Sequence, residues 1–173
     1  MHKSQDYEST PPSLCLRNGT ECAQGNVPIY AINATQPSHI RAGIQFASKN
    51  NLKLVIKSTG HDLLGRSTAK GSLLLWTHYF RDMSFTDSFS VGGRDLGSAV
   101  TVGSGVTLDE LYSKCGERGK FVVAGNSRTV AAAGGFIQGG GHSSFSPVFG
   151  LAVDNVLRKA KFIPLGCSDV NFP

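Results

Sequence analysis

Short apolar runs alternate with polar, glycine-containing loops along the first half of the chain, and this alternation predicts its elements. Residues 27–32 predict a first strand. Pro37 follows at a place where a first helical turn tolerates proline, with Thr35 and Gln36 as candidate caps. Ile40, Ile44 and Ala47, with Phe46 beside them, recur at helical spacing, and the Asn50-Asn51 pair ends the predicted helix. Residues 52–56 predict a second, buried strand and residues 73–76 a third, so the chain opens as β-α-β. Over residues 81–98 the pattern weakens, which predicts a connection between two lobes carrying at most one short strand. Val100-Thr101-Val102 is strand-like, and Gly103-Ser104-Gly105 turns the chain. Thr107-Leu108-Asp109-Glu110 fits a capping box that starts a helix. Leu108, Leu111, Tyr112 and Cys115 form its apolar stripe, which makes Cys115 a core residue rather than a reactive thiol. Gly116 or Gly119 can end that helix, and Phe121-Val122-Val123 predicts a further short strand.

The strand at 52–56 delivers the most chemically informative loop, Lys57-Ser58-Thr59-Gly60-His61-Asp62-Leu63-Leu64-Gly65-Arg66-Ser67. Gly60 and Gly65 let backbone N–H groups approach a ligand, Ser58, Thr59 and Ser67 add hydroxyls, and Arg66 adds positive charge. Such a loop suits an anion, most simply a phosphate. His61 stands in its middle, where an imidazole is open to four roles: nucleophile, base, metal ligand or tether.

Composition narrows the setting. At 173 residues and 40% hydrophobic content the chain can build a real core, in one domain of two lobes. The net charge of +5 comes from singly scattered basic residues with no aromatic-interleaved stripe, so it reads as mild attraction for anionic ligands and not as a nucleic-acid surface. No apolar run approaches the roughly 18 residues of a membrane span. Cys15 and Cys22 are spaced for a small disulfide-closed loop, and Asn18-Gly19-Thr20 and Asn33-Ala34-Thr35 are glycosylation sequons. Together they favour a secreted origin, although residues 1–10 lack the apolar region of a signal peptide. His39 and His78 belong to no constellation and read as structural, and no cluster has metal-ligand spacing.

A second informative stretch runs from Ala124 to His142 and consists almost throughout of small residues. Either something large and flat lies against this backbone or two backbones pack tightly there. No Gly-Lys-Ser/Thr closes a phosphate loop of the Walker type. Leu108 occupies the third glycine position of a dinucleotide fingerprint begun at Gly103-Ser104-Gly105, and no Gly-x-Ser-x-Gly elbow exists.

Both stretches resemble the flavin-dependent oxidases of the vanillyl-alcohol oxidase superfamily, in particular the berberine-bridge-enzyme-like oxidases. The likeness rests on residues 54–62 with Gly65-Arg66-Ser67, Gly71-Ser72-Leu73 with Trp76-Thr77-His78, and Gly103-Ser104-Gly105-Val106. It continues through Arg128-Thr129-Val130 and Gly139-Gly140-Gly141-His142 to residues 149–157. Order and spacing agree over roughly residues 22–157, and the chain divides into an N-terminal extension (1–22), the implied domain, incomplete at its C-terminal end (23–157), and a divergent tail (158–173). No single motif decides the matter; their conjunction is specific.

The resemblance implies an α+β fold, a PCMH-type FAD-binding domain of two lobes with FAD between them. It assigns Ser58, Thr59, Gly60, His61, Asp62, Leu63, Leu64, Gly65 and Arg66 to a cradle for the FAD pyrophosphate. Further cofactor contacts fall to Gly103, Gly125, Thr129, Val130, Gly134, Gly135, Gly139, Gly140 and Gly141. His142, Gly150, Leu151 and Asn155 complete the set, His142 more through its backbone than its ring. Asp154 and Asn155 admit a second reading, as a surface capping pair. In this family the histidine of the Gly-His-Asp motif carries FAD covalently through the 8α-methyl carbon, which gives His61 the tether role. Many relatives add a cysteine tether just before the Thr-Val pair. Ser127 stands near that place here, so a single tether is implied.

Relatives continue into a large substrate domain, whereas this chain runs from Arg158 through Lys159-Ala160-Lys161 to Pro173. The expected function is therefore the FAD-binding portion of an oxidase that moves a hydride from an alcohol or similar carbon centre of a small molecule to flavin and then to dioxygen. The alternative is a catalytically incomplete FAD-binding remnant. The catalytic base belongs to the part not found here, so no acid–base residue is assigned.

Overall fold

The computed structural model describes residues 25–158. The Cys15–Cys22 loop, the Asn18 sequon and the tail from residue 159 lie outside them. The described chain forms two units, one from residues up to Lys57 with Leu63–Trp76, the other from Ser58–Asp62 and Thr77–Val156.

The first unit is organised by its most apolar strand. The strands and helix are β1 (Tyr30–Asn33), α1 (Pro37–Lys49), β2 (Lys53–Lys57) and β3 (Ser72–Trp76). The Ser-Leu-Leu-Leu run of β3 is buried, as a strand with neighbours on both edges must be, and the parallel order is β1-β3-β2. Tyr30 pairs with Leu73 on one side and Leu54 with Leu73 on the other. The α1 crossover thus leaves a gap in the sheet that β3 later fills. Ile40, Gly43 and Ala47 form the buried stripe of α1. Gly43 is where helix and sheet meet most closely, since a Cβ there would lie 2.5 Å from Leu75 Cδ2 and 2.9 Å from Ile32 Cδ1. Phe46, expected beside the stripe, is exposed. Gln36 is the N-cap residue, but its side chain makes no capping bond. Its amide nitrogen instead lies 2.8 Å from Nε2 of His39, a structural role for that histidine.

The second unit contains β4 (Met83–Thr86), β5 (Ser90–Val91), β6 (Arg94–Asp95), β7 (Ala99–Val102) and α2 (Leu108–Gly116). Three four-residue turns of helix follow: α3 (Gly135–Gln138), α4 (Ser146–Phe149) and a 3-10 turn, Ala152–Asn155. Its core joins Val106, Leu108, Leu111, Cys115, Ala124 and Ala132, with Met83, Phe85, Val100 and Val102 packed against them. The capping box at Thr107 forms as expected, and Cys115 is a buried free thiol whose pKa burial pushes up.

Two expectations fail here. Residues 81–98 are not a connection between lobes with at most one short strand; they lie within the second unit and hold three strands. Strand β4 shows only Met83 and Phe85 inward, pairing antiparallel with β7, and the β5–β6 hairpin is exposed throughout, so neither produces an apolar run. Residues 121–123 form no strand, although Val123 and Ala124 are buried.

Leu75 in β3 is fully buried. Leu75→Ala is expected to destabilise the first unit by about 2–5 kcal/mol. Trp76, the only tryptophan, adjoins it, so urea titration followed by tryptophan fluorescence measures the loss.

Candidate functional site

The second unit brings together the beginning of the His61 loop, the Gly103-Ser104-Gly105 turn and the glycine-dense segment. Ser58 Oγ donates to the Ser104 carbonyl at 2.5 Å, and Ser104 Oγ donates to the carbonyl of Thr77 at 3.3 Å. Gly103 and Gly105 are glycines for a packing reason. Their N–H groups donate to the carbonyls of Asp82 and Phe80, and a Cβ on either would collide with the backbone oxygens of Phe80 or His78.

The glycine segment is anchored by α2. The N–H groups of Leu108 and Asp109, orphaned in any helix, donate to the carbonyls of Val130 and Arg128 at 2.8 and 3.0 Å. Ala132 N–H donates to the Val106 carbonyl at 2.9 Å, and Thr107 and Ala131 form an antiparallel bridge. Arg128 Nε donates to Asp109 Oδ1 at 2.8 Å, which holds the Asp109 carboxyl below its ordinary range. Val130 N–H closes the turn on the Ser127 carbonyl. Glu110 caps Thr107 and pairs with Arg81. Tyr112 Oη donates to the Ala124 carbonyl at 2.6 Å, and burial pushes its phenol pKa up.

On this turn Thr129 is exposed, and its Oγ1 lies 2.7 Å from His61 Nε2 across 68 residues of sequence. The contact joins the two stretches that sequence reading singled out separately.

The glycines beyond the turn divide by what surrounds them. A Cβ at Gly125 would touch the Phe136 ring at 2.9 Å, and one at Gly141 would meet Ala152 Cβ at 2.7 Å and the same ring at 2.8 Å, so these two serve internal packing. At Gly134 and Gly135 nothing lies within 4 Å of a Cβ. Gly134 holds φ +88°, which disfavours a side chain on backbone grounds, while Gly135 has no such constraint. Open space above these small residues fits a flat group lying on this backbone.

The remaining candidates are spread around these features. Gly139 ends α3 with its N–H on the Gly135 carbonyl, and the carbonyls of Gly140 and Gly141 accept from Val153 and Ala152. Gly150 ends α4, Leu151 and His142 are exposed, and Val130 packs against the core. Asn155 Nδ2 donates to the Phe149 and Leu151 carbonyls, and Asp154 Oδ2 accepts from Leu151 N–H, which is the capping arrangement. Thr59, Gly60 and Asp62 are half-buried and His61 is exposed, all four in the second unit. Leu63, Leu64, Gly65 and Arg66 group with the first unit, where Leu63 and Leu64 are exposed. Sequence reading missed Ser104 as the Ser58 partner and the Asp109–Arg128 pair. Both join residues far apart in the chain, and no linear spacing signals them. Among the described residues no group of three His, Cys, Asp or Glu could hold a metal ion, and no helix is long and apolar enough to cross a membrane.

The family described as FAD binding domain matches residues 28–160. The chain is similar to an uncharacterized FAD-linked oxidoreductase of Arthroderma benhamiae, at 51% identity over 79% of this chain and 24% of that protein. Among solved structures it is similar to the VAO-type flavoprotein MtVAO615 of Myceliophthora thermophila, with TM-score 0.73 and 41% identity, covering 77% of this chain and 24% of the other. It is also similar to BBE-like #28 of Arabidopsis thaliana, with TM-score 0.61 and 25% identity over 72% of this chain and 24% of the other. The chain thus spans about a quarter of the length of these relatives.

The Asp109 pairing has a pH signature. A carboxyl whose folded pKa is depressed contributes stability above its unfolded value of about 3.9 and loses it as pH falls through the folded value. Arg128→Gln is expected to move the Asp109 titration upward, read by carboxyl NMR. The gap in urea midpoint between variant and parent should be present at neutral pH and close below the depressed Asp109 value.

Proposed function

The chain belongs to the FAD binding domain family, and on that premise we propose that it is the FAD-holding portion of an oxidase-type FAD-linked oxidoreductase, with His61 as the covalent tether. The observation that carries the reading is the 2.7 Å contact between His61 and Thr129, which ties the imidazole to the glycine-dense segment of the same unit, where Gly134 and Gly135 border open space. FAD, when bound, supplies a two-electron acceptor in its isoalloxazine ring. The chain's own residues hold and orient it. Hydroxyl groups and glycine N–H groups from Ser58 to Arg66 suit the pyrophosphate, Gly134 and Gly135 leave room for a flat ring system, and His61 offers a neutral nitrogen to an electrophilic carbon. Ser127, where a second tether would stand, offers no thiolate.

The substrate in this reading is a small molecule that gives up a hydride from an alcohol or similar carbon, with dioxygen as the final acceptor. The oxidase name carried by a Thermothelomyces thermophilus relative, 42% identical, supports that choice. A secreted setting belongs to the same reading, and the exposed Asn33 of its sequon at the end of β1 supports it.

Expression with FAD followed by acid precipitation tests the tether. The parent pellet should stay yellow and gain the mass of one FAD, whereas His61→Ala should release all flavin to the supernatant. A yellow His61→Ala pellet would sink the assignment. Photoreduction of the loaded chain followed by admission of air tests the acceptor: flavin absorbance should return within seconds, and persistence of the reduced spectrum would favour a dehydrogenase.

A further inference from the structure

We propose that Thr129 is a positioning residue for His61, fixing which imidazole nitrogen carries the proton and which is presented as nucleophile. The inference rests on His61 being the tether. Thr129 Oγ1 lies 2.7 Å from Nε2, and Nδ1 makes no hydrogen bond among the described residues. A neutral imidazole has one N–H and one lone pair, and the partner of one nitrogen decides the tautomer. With the proton on Nε2 and donated to Thr129 Oγ1, the lone pair is left on Nδ1.

The hydroxyl can do this because its own place is overdetermined. Thr129 sits inside the turn that Val130 closes on Ser127, and the carbonyls on either side, of Arg128 and Val130, are held by the first N–H groups of α2. The Arg128–Asp109 pair adds a third restraint. His61 itself is exposed, so the burial that usually orients a reactive imidazole is absent, and the Thr129 bond replaces it.

The bond formed in tethering is between Nδ1 and the flavin 8α carbon, which loses one C–H. The Nε2 proton leaves through the Thr129 hydroxyl as the ring becomes alkylated. The two electrons and two protons released overall pass to dioxygen, which departs as hydrogen peroxide.

Three variants of the full chain, Thr129→Val, Thr129→Ser and His61→Ala, test the proposal by two independent readouts. In the flavin-free chain, the 15N spectrum of His61 should show the Nε2–H tautomer in the parent and in Thr129→Ser, and a mixture in Thr129→Val. In the FAD-supplied chain, Thr129→Val should slow covalent attachment at least tenfold at saturating FAD, read by mass, while the Trp76 fluorescence unfolding curve stays unchanged. Thr129→Ser should restore the rate. Identical His61 tautomers in parent and Thr129→Val, or equal attachment rates, would overturn the proposal. Retention of covalent flavin by His61→Ala would instead overturn the tether reading, and the tautomer readout would still decide the role of Thr129.

Discussion

The second unit depends on how α2 begins. A helix leaves its first N–H groups without internal partners, and here two of them are satisfied by the carbonyls of Arg128 and Val130 rather than by water or side chains. The capping box at Thr107 and Glu110 serves the next donor. Because the partners are backbone atoms of the glycine-dense segment, the same bonds that complete the helix hold the start of that segment in one conformation. Thr129 is placed by this arrangement, and through Thr129 so is His61. The core beneath, from Val106 through Leu111 to Ala132, gives the anchor its rigidity.

What sequence reading could see were the features whose cause is local. The α1 stripe, the capping box and the run of β3 all arise within a few residues of chain, and they appear where expected. The PCMH-type architecture followed from resemblance and is shared by solved flavoproteins. Hidden features have causes elsewhere in the chain. The exposed hairpin at Ser90–Asp95 has no buried face to betray it, and β4 is a strand because β7 lies alongside. Residues 121–123 show the converse, with strand-like composition and no strand.

The site follows the same rule. His61 and the glycine segment could each be marked as chemically unusual, but only folding shows that they meet within one unit. The uniform glycine platform that composition implies becomes two sets of residues with different work. Gly125 and Gly141 accommodate Phe136, and Gly103 and Gly105 admit neighbouring carbonyls, whereas Gly134 and Gly135 border open space. Asn155, drawn into the cofactor set by resemblance, spends its amide on closing its own loop.

The split of the His61 loop between the units has a temporal consequence. As the chain leaves the ribosome, β1, α1, β2 and β3 emerge in succession, and by Trp76 every strand of the first sheet exists. That sheet needs nothing from later sequence to pair its strands. Ser58–Asp62 belongs to the second unit, so His61 is synthesised early and waits for a hydroxyl 68 residues downstream. The imidazole can be held in place only after α2 and the turn at Thr129 have both been made, which makes the His61–Thr129 contact one of the last parts of the described chain to assemble.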